Sequence, residues 1–537
     1  MDAKEPHHEE PEGDNNTEIV QLNDQTSIFE PTGATMGRLR LRSVMFSLCL
    51  ASFLSALDVT IVATALPTIA KEVNASTAEY AWIGSAYTLS TTASVPIWAQ
   101  LSNIFGRKPI IMLANLAFLG GSLICGLTKS VGLLIGGRVV QGLGSGGCLI
   151  MVTVIIGDMF EVKDRAKYYG LTGIVWAISS SFGPILGGVF TQTIGWRWCF
   201  LINLPFDGLS LGVLFFALKS QTKTIPVMDG LKSLDWIGSL LIIGGTVCFL
   251  YGLEVGASDQ RPWASAMVIC LLVFGVVILG LFILYEARFA TNPLIPGRIL
   301  SSRTNCASIS VLCLHSLVFI SYDYFLPLYF QVVLGFNAII SGVCLLVLVV
   351  PLSVFTMSTG WYVRRNGDYQ SPIWIGTCFM TLGTGLFISL GSGIDWPKII
   401  IFQIIVGIGA GPLFQSPMIA LQSHVKQVDI AAAMSASSFM RSLCSSISIV
   451  IGSVLLQKTL HGGKLTLESD DGADKNIGKT LSVENSASAL STMWIFYCAM
   501  CGAMMLASLF IKKMPTHKAA RDRGSKDVSE KDVSEKA

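Results

Sequence analysis

The sequence predicts an all-α polytopic membrane protein, and three observations carry that prediction. Of the 537 residues, 52% are hydrophobic and only 13% are charged, whereas a soluble domain carries about 25% charged residues. Apolar blocks of roughly 18 to 25 residues, the length that a helix needs to cross hydrocarbon, recur almost to the C-terminus. Lys and Arg residues also concentrate in every second loop between these blocks. The chain therefore lies in a lipid bilayer, and no nucleic-acid partner is expected.

Read in chain order, the apolar blocks predict about fourteen transmembrane helices. The predicted spans are 43–67, 79–100, 109–128, 132–158, 168–192, 198–219, 234–254, 264–287, 305–330, 338–362, 371–391, 397–422, 430–457 and 490–512. The fourth span is interrupted by Arg138 and a glycine cluster, and the thirteenth contains Arg441. Twelve spans are the alternative, if two of these blocks merge or lie flat on the membrane.

The loop charges predict the orientation of the chain. Short cytoplasmic loops carry an excess of Lys and Arg. Arg107 and Lys108 follow the second span, and Arg364 and Arg365 follow the tenth, while the alternate loops are poorer in such pairs. Both termini are therefore expected in the cytoplasm, with an even number of spans between them.

The segments outside the spans are polar. Residues 1 to about 35 are acidic and rich in Pro, Asn and Gly, so they are expected to be disordered. No cleavable signal peptide is visible, and the first span is expected to insert as it stands. The sequon that begins at Asn74 falls on the predicted outer side, where glycosylation of that asparagine is expected.

The sequence lacks the signatures of several membrane-protein classes. It contains no phosphate-binding loop for a nucleotide, no His or Cys cluster with metal-ligand spacing and no potassium-filter sequence. Its thirteen cysteines fall inside or at the edge of apolar spans, where cysteine packs as a small hydrophobe. No cofactor, no metal and no enzymatic reaction are therefore expected. The remaining class is a secondary transporter, which works from an ion gradient.

Two motifs combine a basic residue with glycine. After the second span, "AQLSNIFGRKP" (99–109) predicts a tight turn at Gly106 followed by the cations Arg107 and Lys108. The fourth span carries "GGRVVQGLGSGG" (136–147), in which Arg138 and Gln141 lie one turn apart on one face. Read separately, the first motif is a topology anchor and the glycines of the second allow close helix packing.

A third motif lies in the fifth span. The stretch "GIVWAISSSFGPILGG" (173–188) places Gly183 and Gly187 on a face of small residues, with Gly188 beside them. Pro184 removes a backbone hydrogen bond and is expected to bend the helix, so these four residues are a candidate hinge. Tight packing alone is the alternative reading of the glycines.

Together, in this order and spacing, the motifs resemble those of the major facilitator superfamily, and within it the fourteen-helix drug:proton antiporter branch. "LDVTIVATALPTI" resembles the first-helix signature of that branch, "GRKP" the end of the loop motif between helices two and three, "RVVQGLGSGG" the fourth-helix motif, and "GPILGG" the fifth-helix antiporter motif. "WRWCFLINLP", "LPLYFQ" and "LEVGASDQRPW" resemble fungal toxin-efflux and multidrug members. The resemblance covers residues 43 to 512 and says more about family than about substrate.

The resemblance implies two six-helix bundles, built as inverted repeats, that rock around a central site. The implied organisation is a cytoplasmic N-terminal tail (1–42), a first bundle (43–219), a linker with two extra transmembrane helices (220–304), a second bundle (305–512) and a cytoplasmic C-terminal tail (513–537). One position departs from the family pattern. The loop motif usually carries an acid where this chain has Asn103, so an ion pair that helps to lock one conformation is expected to be absent or weaker.

Asp58 lies in the middle of the first span, with no cation within a turn or two along the chain. An ionised carboxylate at that depth costs about 2.5–3.5 kcal/mol on insertion scales, so it should face the bundle interior or water. Removal from water favours the protonated acid, so Asp58 could hold a proton when dry and release it when wetted. The alternative is a permanent hydrogen-bonded role that fixes the bundle. A pair with Arg138 could serve either role.

Other polar residues are candidates for the substrate cavity. His315, Asp323 and Tyr324 lie in the ninth span, which the resemblance implies is a cavity-lining helix. His315 and Asp323 are about 12 Å apart along the helix axis, at roughly 1.5 Å per residue, so they do not touch. An interfacial aromatic belt is the alternative for the region around Asp323. Arg441 is expected in a polar packing seam, and Asp207 near a solvated or interfacial span end.

The resemblance implies proton-coupled efflux of lipophilic small molecules (a toxin, secondary metabolite or drug) by alternating access, at the plasma membrane. Small-molecule substrate, protons and the lipid bilayer are then the expected partners. The oligomeric state stays open, with a monomer as the expectation. Two alternatives stand beside this reading: a proton-coupled importer or vacuolar transporter of basic amino acids or iron chelates, and a ligand sensor that transports nothing.

Overall fold

The computed structural model describes residues 36–75, 77–218, 227–257, 262–290, 293–336, 338–425, 429–459 and 475–512. Within these ranges the chain is built from helices and contains no β-strand. The helices are α1 Arg38–Glu72, α2 Thr77–Phe105, α3 Arg107–Leu127, α4 Val131–Met159, α5 Val162–Gln192, α6 Trp198–Leu201, α7 Asn203–Ala217, α8 Val227–Lys232, α9 Trp236–Ala257, α10 Ala266–Arg288, α11 Arg303–Leu328, α12 Ala338–Asn366, α13 Gln370–Phe387, α14 Trp396–Leu413, α15 Ser416–Ser423, α16 Ile430–Thr459 and α17 Lys475–Ser508.

Twelve helical segments among the described residues are long and apolar enough to cross a membrane. The polytopic all-α class predicted from composition is therefore confirmed. Helices α2 and α13 coincide with the predicted second and eleventh spans but are not among the twelve. The first is rich in Ser and Thr, and the second is 18 residues long and begins with polar residues. The count of fourteen spans stays a prediction, and most of both predicted tails lies outside the described residues.

The helices pack within two groups that meet mainly along two helix pairs. In the first half of the chain α1 packs on α5, and α4 packs on both α2 and α3. In the second half α14 packs on α12 and α13, and α11 packs on α16. Contact between the halves runs along α5 with α12 and along α2 with α16. These contacts accord with a division into two bundles, whose boundaries remain a prediction.

The extra helices α9 and α10 form a pair of their own. They pack on each other, and α9 also lies against α2 and α16. The outer helix, α10, leaves a run of large apolar side chains exposed, including Val273, Phe274 and Val277. Such a surface is typical of a helix whose outer side faces lipid rather than water.

Glycines in α5 set its distance from α1. A Cβ added to Gly183 would lie 2.6 Å from the Thr60 Cβ, and one added to Gly187 would lie 2.6 Å from the Ile61 carbonyl oxygen. Neither distance is tolerable for real atoms, so the two backbones can approach this closely only because glycine is present. Gly188 differs, since an added Cβ would meet nothing within 4 Å. Pro184 lies inside α5, which continues beyond it to Gln192.

Glu72 connects the end of α1 with the segment between α5 and α6. Its carboxylate accepts hydrogen bonds from the Trp196 indole at 2.7 Å and from the Arg197 guanidinium at 2.6 Å. The hydrogen bond from Arg197 is the main cause that holds the pKa of Glu72 below its usual range. Asn74 follows closely, exposed and with φ of 52°, a left-handed conformation that asparagine tolerates better than most residues. Its accessibility is compatible with glycosylation, which stays a prediction, and Ser76 of the sequon lies outside the described residues.

We expect Gly187→Ala to destabilise the protein by roughly 1–3 kcal/mol, because the new methyl group forces α5 away from α1. Gly188→Ala is the matched control and should leave stability unchanged or raise it by up to about 1 kcal/mol, because its methyl group enters open space and alanine favours a helix more than glycine does. The melting temperature of the purified protein in detergent checks both. Equal melting temperatures for the two variants would contradict the assigned role of Gly187.

Candidate functional site

Asp58 lies at the centre of a buried polar network in the first half of the chain. Its side chain, in α1, is fully buried and forms an ion pair with Arg138 of α4. One carboxylate oxygen accepts from Arg138, and the other accepts from the Gln141 amide at 2.7 Å. The expected pair between Asp58 and Arg138 is thus present, and Gln141 completes it as the one-turn spacing in α4 suggests.

The Arg138 guanidinium makes hydrogen bonds through its Nε and Nη1 and also contacts two aromatic rings. Its Nε donates to the Ile83 carbonyl at 3.1 Å and its Nη1 donates also to the Gln141 side-chain oxygen at 2.8 Å. The rings of Tyr87 and Phe200 lie 4.4 Å and 5.7 Å from the guanidinium carbon. Because the charge is paired, hydrogen-bonded and held against aromatic faces, it can remain ionised without water.

Two members of the network were missed at the sequence level. Asn203, at the start of α7, donates to Asp58 at 3.4 Å and to Ser122 of α3 at 3.3 Å. The Ser122 hydroxyl also accepts from Gln141 at 2.9 Å. The network therefore joins α1, α3, α4 and α7. A lone Asn inside the apolar stretch "CFLINLP" was the available signal for Asn203, whereas nothing in the sequence distinguishes Ser122 from other span serines.

A cavity of about 280 Å³ lies between the two halves of the chain. The first half contributes residues of α1, α2, α4 and α5, and the second half contributes residues of α11, α15 and α16 together with Phe414. Its wall includes Thr91, Trp176, His315, Phe414, Arg441 and Ser445. Arg441, expected in a packing seam, thus faces a cavity instead.

The cavity and the Asp58 network are separate but adjacent. Asp58 does not line the cavity, although Ser52 of the same helix does. The Thr91 hydroxyl, on the cavity wall, donates to the Gly142 carbonyl at 3.0 Å, and Gly142 directly follows Gln141. One peptide unit therefore lies between the wall and the network.

The structure separates the three cavity candidates of the ninth span. His315 lies on the cavity wall and is fully buried. Asp323 does not line the cavity; it accepts from the Ser180 hydroxyl of α5 at 3.3 Å, which bridges the two halves. Tyr324 points elsewhere: its side chain is 49% exposed and its ring lies 5.1 Å from that of Phe325. The functional roles of all three stay predictions.

In the loop motif, Arg107 pairs with an acid from another helix, and the expected effect of Asn103 on conformational locking stays a prediction. Gly106 has φ of 91° and makes the expected tight turn. Arg107 pairs with Asp158 of α4 at 2.7 Å, and it donates to the Asn103 side-chain oxygen, also at 2.7 Å. Lys108 donates to the Phe215 carbonyl at 2.7 Å. Asn103 thus keeps a hydrogen bond in the motif, while Asp158 supplies the negative charge.

Asp207 contradicts the expectation of a solvated or interfacial side chain. It is fully buried in α7, and neither carboxylate oxygen has a hydrogen-bond partner among the described residues. The reason lies in the face of α7 that carries it. Ser210, one turn later, donates to the Ser47 carbonyl of α1 at 3.1 Å, so this face packs onto α1 instead of reaching the membrane surface.

The two halves are tied together at the end of the molecule where the predicted cytoplasmic loops lie. Arg165 of α5 donates to the Gln422 side-chain oxygen of α15 at 2.9 Å, and Gln422 donates to the Tyr169 hydroxyl at 2.8 Å. Nearby, Asp164 pairs with Arg364 of α12 at 2.7 Å. Tyr169 also lines the cavity, so these contacts close its predicted cytoplasmic end.

Comparisons with known proteins give a consistent result. Residues 48–449 match the model of the Major Facilitator Superfamily. The chain is 46% identical over 488 residues to the efflux pump dotC of Dothistroma septosporum (strain NZE10 / CBS 128990), covering 88% of this chain and 84% of that protein. It is 40% identical over 496 residues to the MFS-type transporter ppz2 of Metarhizium majus, covering 89% and 85%.

Solved structures resemble the fold at low sequence identity. The human organic anion transporter MFSD10 matches with a TM-score of 0.57 and 14% identity, covering 88% of this chain and 99% of that chain. A double tryptophan mutant of XylE matches with a TM-score of 0.57 and 12% identity, covering 88% and 96%. At these identities the likeness concerns the fold alone.

We expect Arg138→Gln to destabilise the protein by about 3–5 kcal/mol, because it leaves the Asp58 carboxylate buried without its counter-ion. The double variant Asp58→Asn/Arg138→Gln should recover much of the lost stability, since it leaves two neutral amides that can hydrogen-bond. Melting temperatures of the wild type, both single variants and the double variant give the coupling between the two positions. If the effects of the single variants simply add in the double variant, the pair is not the stabilising interaction described here.

Proposed function

The chain belongs to the Major Facilitator Superfamily, and from that premise we propose that it exports lipophilic small molecules in exchange for protons. The family and the efflux pumps among its relatives make it a membrane transporter. Proton coupling, the chemical class of the substrate and the plasma membrane as location are the content of the proposal. The transport step would be alternating access, with the two halves moving along the α5–α12 and α2–α16 contacts.

The observation that carries the proposal is the Asp58–Arg138 pair. A proton bound to Asp58 would remove the negative charge that balances Arg138, and the guanidinium would keep only Gln141, the Ile83 carbonyl and the aromatic faces. The relative positions of α1 and α4 that are preferred with an ionised Asp58 would then differ from those preferred with a neutral one. A conformational equilibrium that responds to protonation is what a coupled exchanger requires.

The position of the network beside the cavity supports coupling to substrate. Thr91 lines the cavity and donates a hydrogen bond to the carbonyl of Gly142. Gly142 directly follows Gln141, whose amide donates a hydrogen bond to Asp58. A ligand that displaces the wall at α2 would therefore shift α4 and the network. The reverse also holds, since coupling between two sites is reciprocal.

The contacts between the halves are compatible with one stage of the proposed cycle. The contacts of Arg165, Gln422 and Asp164 close the predicted cytoplasmic end. This is the arrangement expected after substrate has been carried outward and before the protein has reopened to the cytoplasm. Outside protons would load Asp58, and the proton would leave on the cytoplasmic side when the next substrate binds.

Dye efflux from cells tests the proposal. We expect cells that express the wild type to expel a preloaded lipophilic fluorescent dye, and a protonophore to abolish the efflux. Asp58→Asn, at equal surface expression, should lose the protonophore-sensitive component, because an amide cannot carry the proton. Asp395→Asn is the matched control, since that acid forms an exposed pair with Lys398 and takes no part in the network.

Efflux that survives Asp58→Asn would contradict the coupling role and leave Asp58 as a structural residue. Accumulation of dye in place of efflux would favour an importer, and the location of the tagged protein would separate the plasma membrane from the vacuolar membrane.

A further inference from the structure

The cavity wall has an unbalanced charge. Among the described residues that line it there is one arginine, Arg441, and one histidine, His315, but no Asp or Glu. The Asp58–Arg138 pair, by contrast, is neutral as a whole and lies outside the wall. A ligand in the cavity would therefore meet a site with a net positive charge.

Arg441 is poorly satisfied by the protein. Its Nε is buried and has no hydrogen-bond partner in the part of the chain that the structure describes, and none of the ion pairs formed there includes Arg441. Around it, Ser438, Ser442 and Ser445 of the same helix line the cavity. Arginine stays protonated in proteins, and a cation without a counter-ion is costly away from water. An anionic group in the cavity would remove that cost.

His315 is a second polar side chain on the cavity wall whose hydrogen-bonding atoms lack a partner of normal geometry in the described part of the chain. It is fully buried, and neither ring nitrogen makes a hydrogen bond of normal distance and angle among the described residues, although the Ala410 carbonyl is an acceptor close to the ring. Its ring lies 5.8 Å from that of Phe319 and 4.9 Å from that of Phe414. A polar ring flanked by apolar faces suits a ligand that is polar at one end and aromatic elsewhere.

The two groups belong to opposed helices that are held together. Ser316, next to His315 in α11, shares a hydrogen bond of 2.7 Å with Ser445 of α16, one turn from Arg441. The Arg441 charge also acts on the His315 ring. The wall therefore brings a fixed cation and a hydrogen-bonding ring to one side of the cavity, with aromatic side chains around them.

We propose that the cavity binds lipophilic organic acids, with Arg441 holding the carboxylate or phenolate group, His315 supplying a further hydrogen bond, and Trp176, Phe319 and Phe414 contacting the apolar body. The inference rests on the proposed function, because it names the substrate class of the exporter's cavity. The volume of about 280 Å³ lies at the lower end of the roughly 300–1,000 Å³ typical of ligand pockets, so a compact aromatic acid fits best. Lipophilic cations are disfavoured because Arg441 repels them.

Binding to the purified full-length protein tests the assignment. The probes are 1-naphthaleneacetate, the neutral 1-naphthaleneacetamide and the cationic 2-(1-naphthyl)ethylamine, which share one compact apolar body and differ in charge. The wild type should bind the carboxylate at least about tenfold more tightly than the amide, as expected for a charge-assisted hydrogen bond, and should bind the amine most weakly.

Variants at position 441 separate charge recognition from loss of fold. Arg441→Gln should lower the affinity for the carboxylate to that for the amide, while the affinity for the amide itself stays unchanged. Arg441→Lys should keep most of the preference for the anion. Arg365→Gln is the matched control, because this cation is exposed and lies outside the cavity wall. Identical gel-filtration profiles and an unchanged affinity for the amide show that the variants remain folded.

Equal affinities for the three probes, a preference for the amine, no binding of any probe, or a preference for the anion that survives Arg441→Gln would each overturn the assignment. These outcomes are separable from failure of the proposed function. Protonophore-sensitive efflux without a preference for anions overturns the substrate class alone. A preference for anions that depends on Arg441, in a protein that expels no dye or acid from cells, overturns export and keeps the binding site.

Discussion

A buried ion pair between Asp58 and Arg138 is the interaction on which the first half of the molecule depends. Both side chains are fully buried, and glycines let the helices around them approach closely. A Cβ added to Gly121 of α3 would lie 2.6 Å from the Gln141 Cα of α4, and one added to Gly144 would lie 2.7 Å from the Phe118 Cα. Because both charges are buried among closely packed helices, each needs the other.

The same constraint explains the number of hydrogen bonds around the pair. Both oxygens of Asp58 are engaged, and the donors come from Arg138, Gln141 and Asn203. Each donor lies on a helix that touches α1, so the pair fixes positions as well as charge. In the proposed cycle ionised and protonated Asp58 would favour different positions of these helices, and for this reason a structural role and a coupling role need not exclude each other.

Features of the network and the fold that depend on residues close together in the sequence could be predicted from the sequence. Apolar block lengths gave the polytopic class, and the spacing of Arg138 and Gln141 placed both on one helical face. The pair with Asp58 was foreseeable because an unpaired charge at mid-membrane needs a partner, and Arg138 was a candidate. Fold resemblance to the Major Facilitator Superfamily came from motifs that are themselves local, and the family match confirms it.

The side-chain contacts that could not be predicted depend on how helices that are far apart in the sequence pack against each other. Ser122 joins the network only because α3 lies against α4, and Asp158 pairs with Arg107 only because the end of α4 reaches the loop. Asp207 is buried because its helix face turns onto α1. Tyr324 and His315 share one helix, yet only His315 reaches the cavity, since rotation of α11 is set by its packing on α16. None of these orientations is encoded in hydropathy.

The two polar sites have different electrostatic characters. The Asp58 network is balanced within the protein, whereas the cavity wall carries the positive charge of Arg441 without an acid among its described residues. In the proposed cycle the network would exchange a proton, and the charge of the cavity wall would be balanced by an anionic ligand. The two sites are connected by a hydrogen bond between α2 and α4, which the Thr91 hydroxyl donates to the Gly142 carbonyl. Proton and substrate would then oppose each other because they favour different helix positions, and not because both bind to one carboxylate.

Proton release on substrate binding is the most direct test of that account. Purified protein in weakly buffered detergent solution, at a pH low enough for Asp58 to carry a proton, would be mixed with a lipophilic fluorescent dye in the presence of a soluble pH indicator. The account predicts that the wild type releases protons as the dye binds, and that Asp58→Asn binds the dye without releasing them. Equal proton release by both proteins, or dye binding to the wild type with no proton release, would contradict the central role of Asp58.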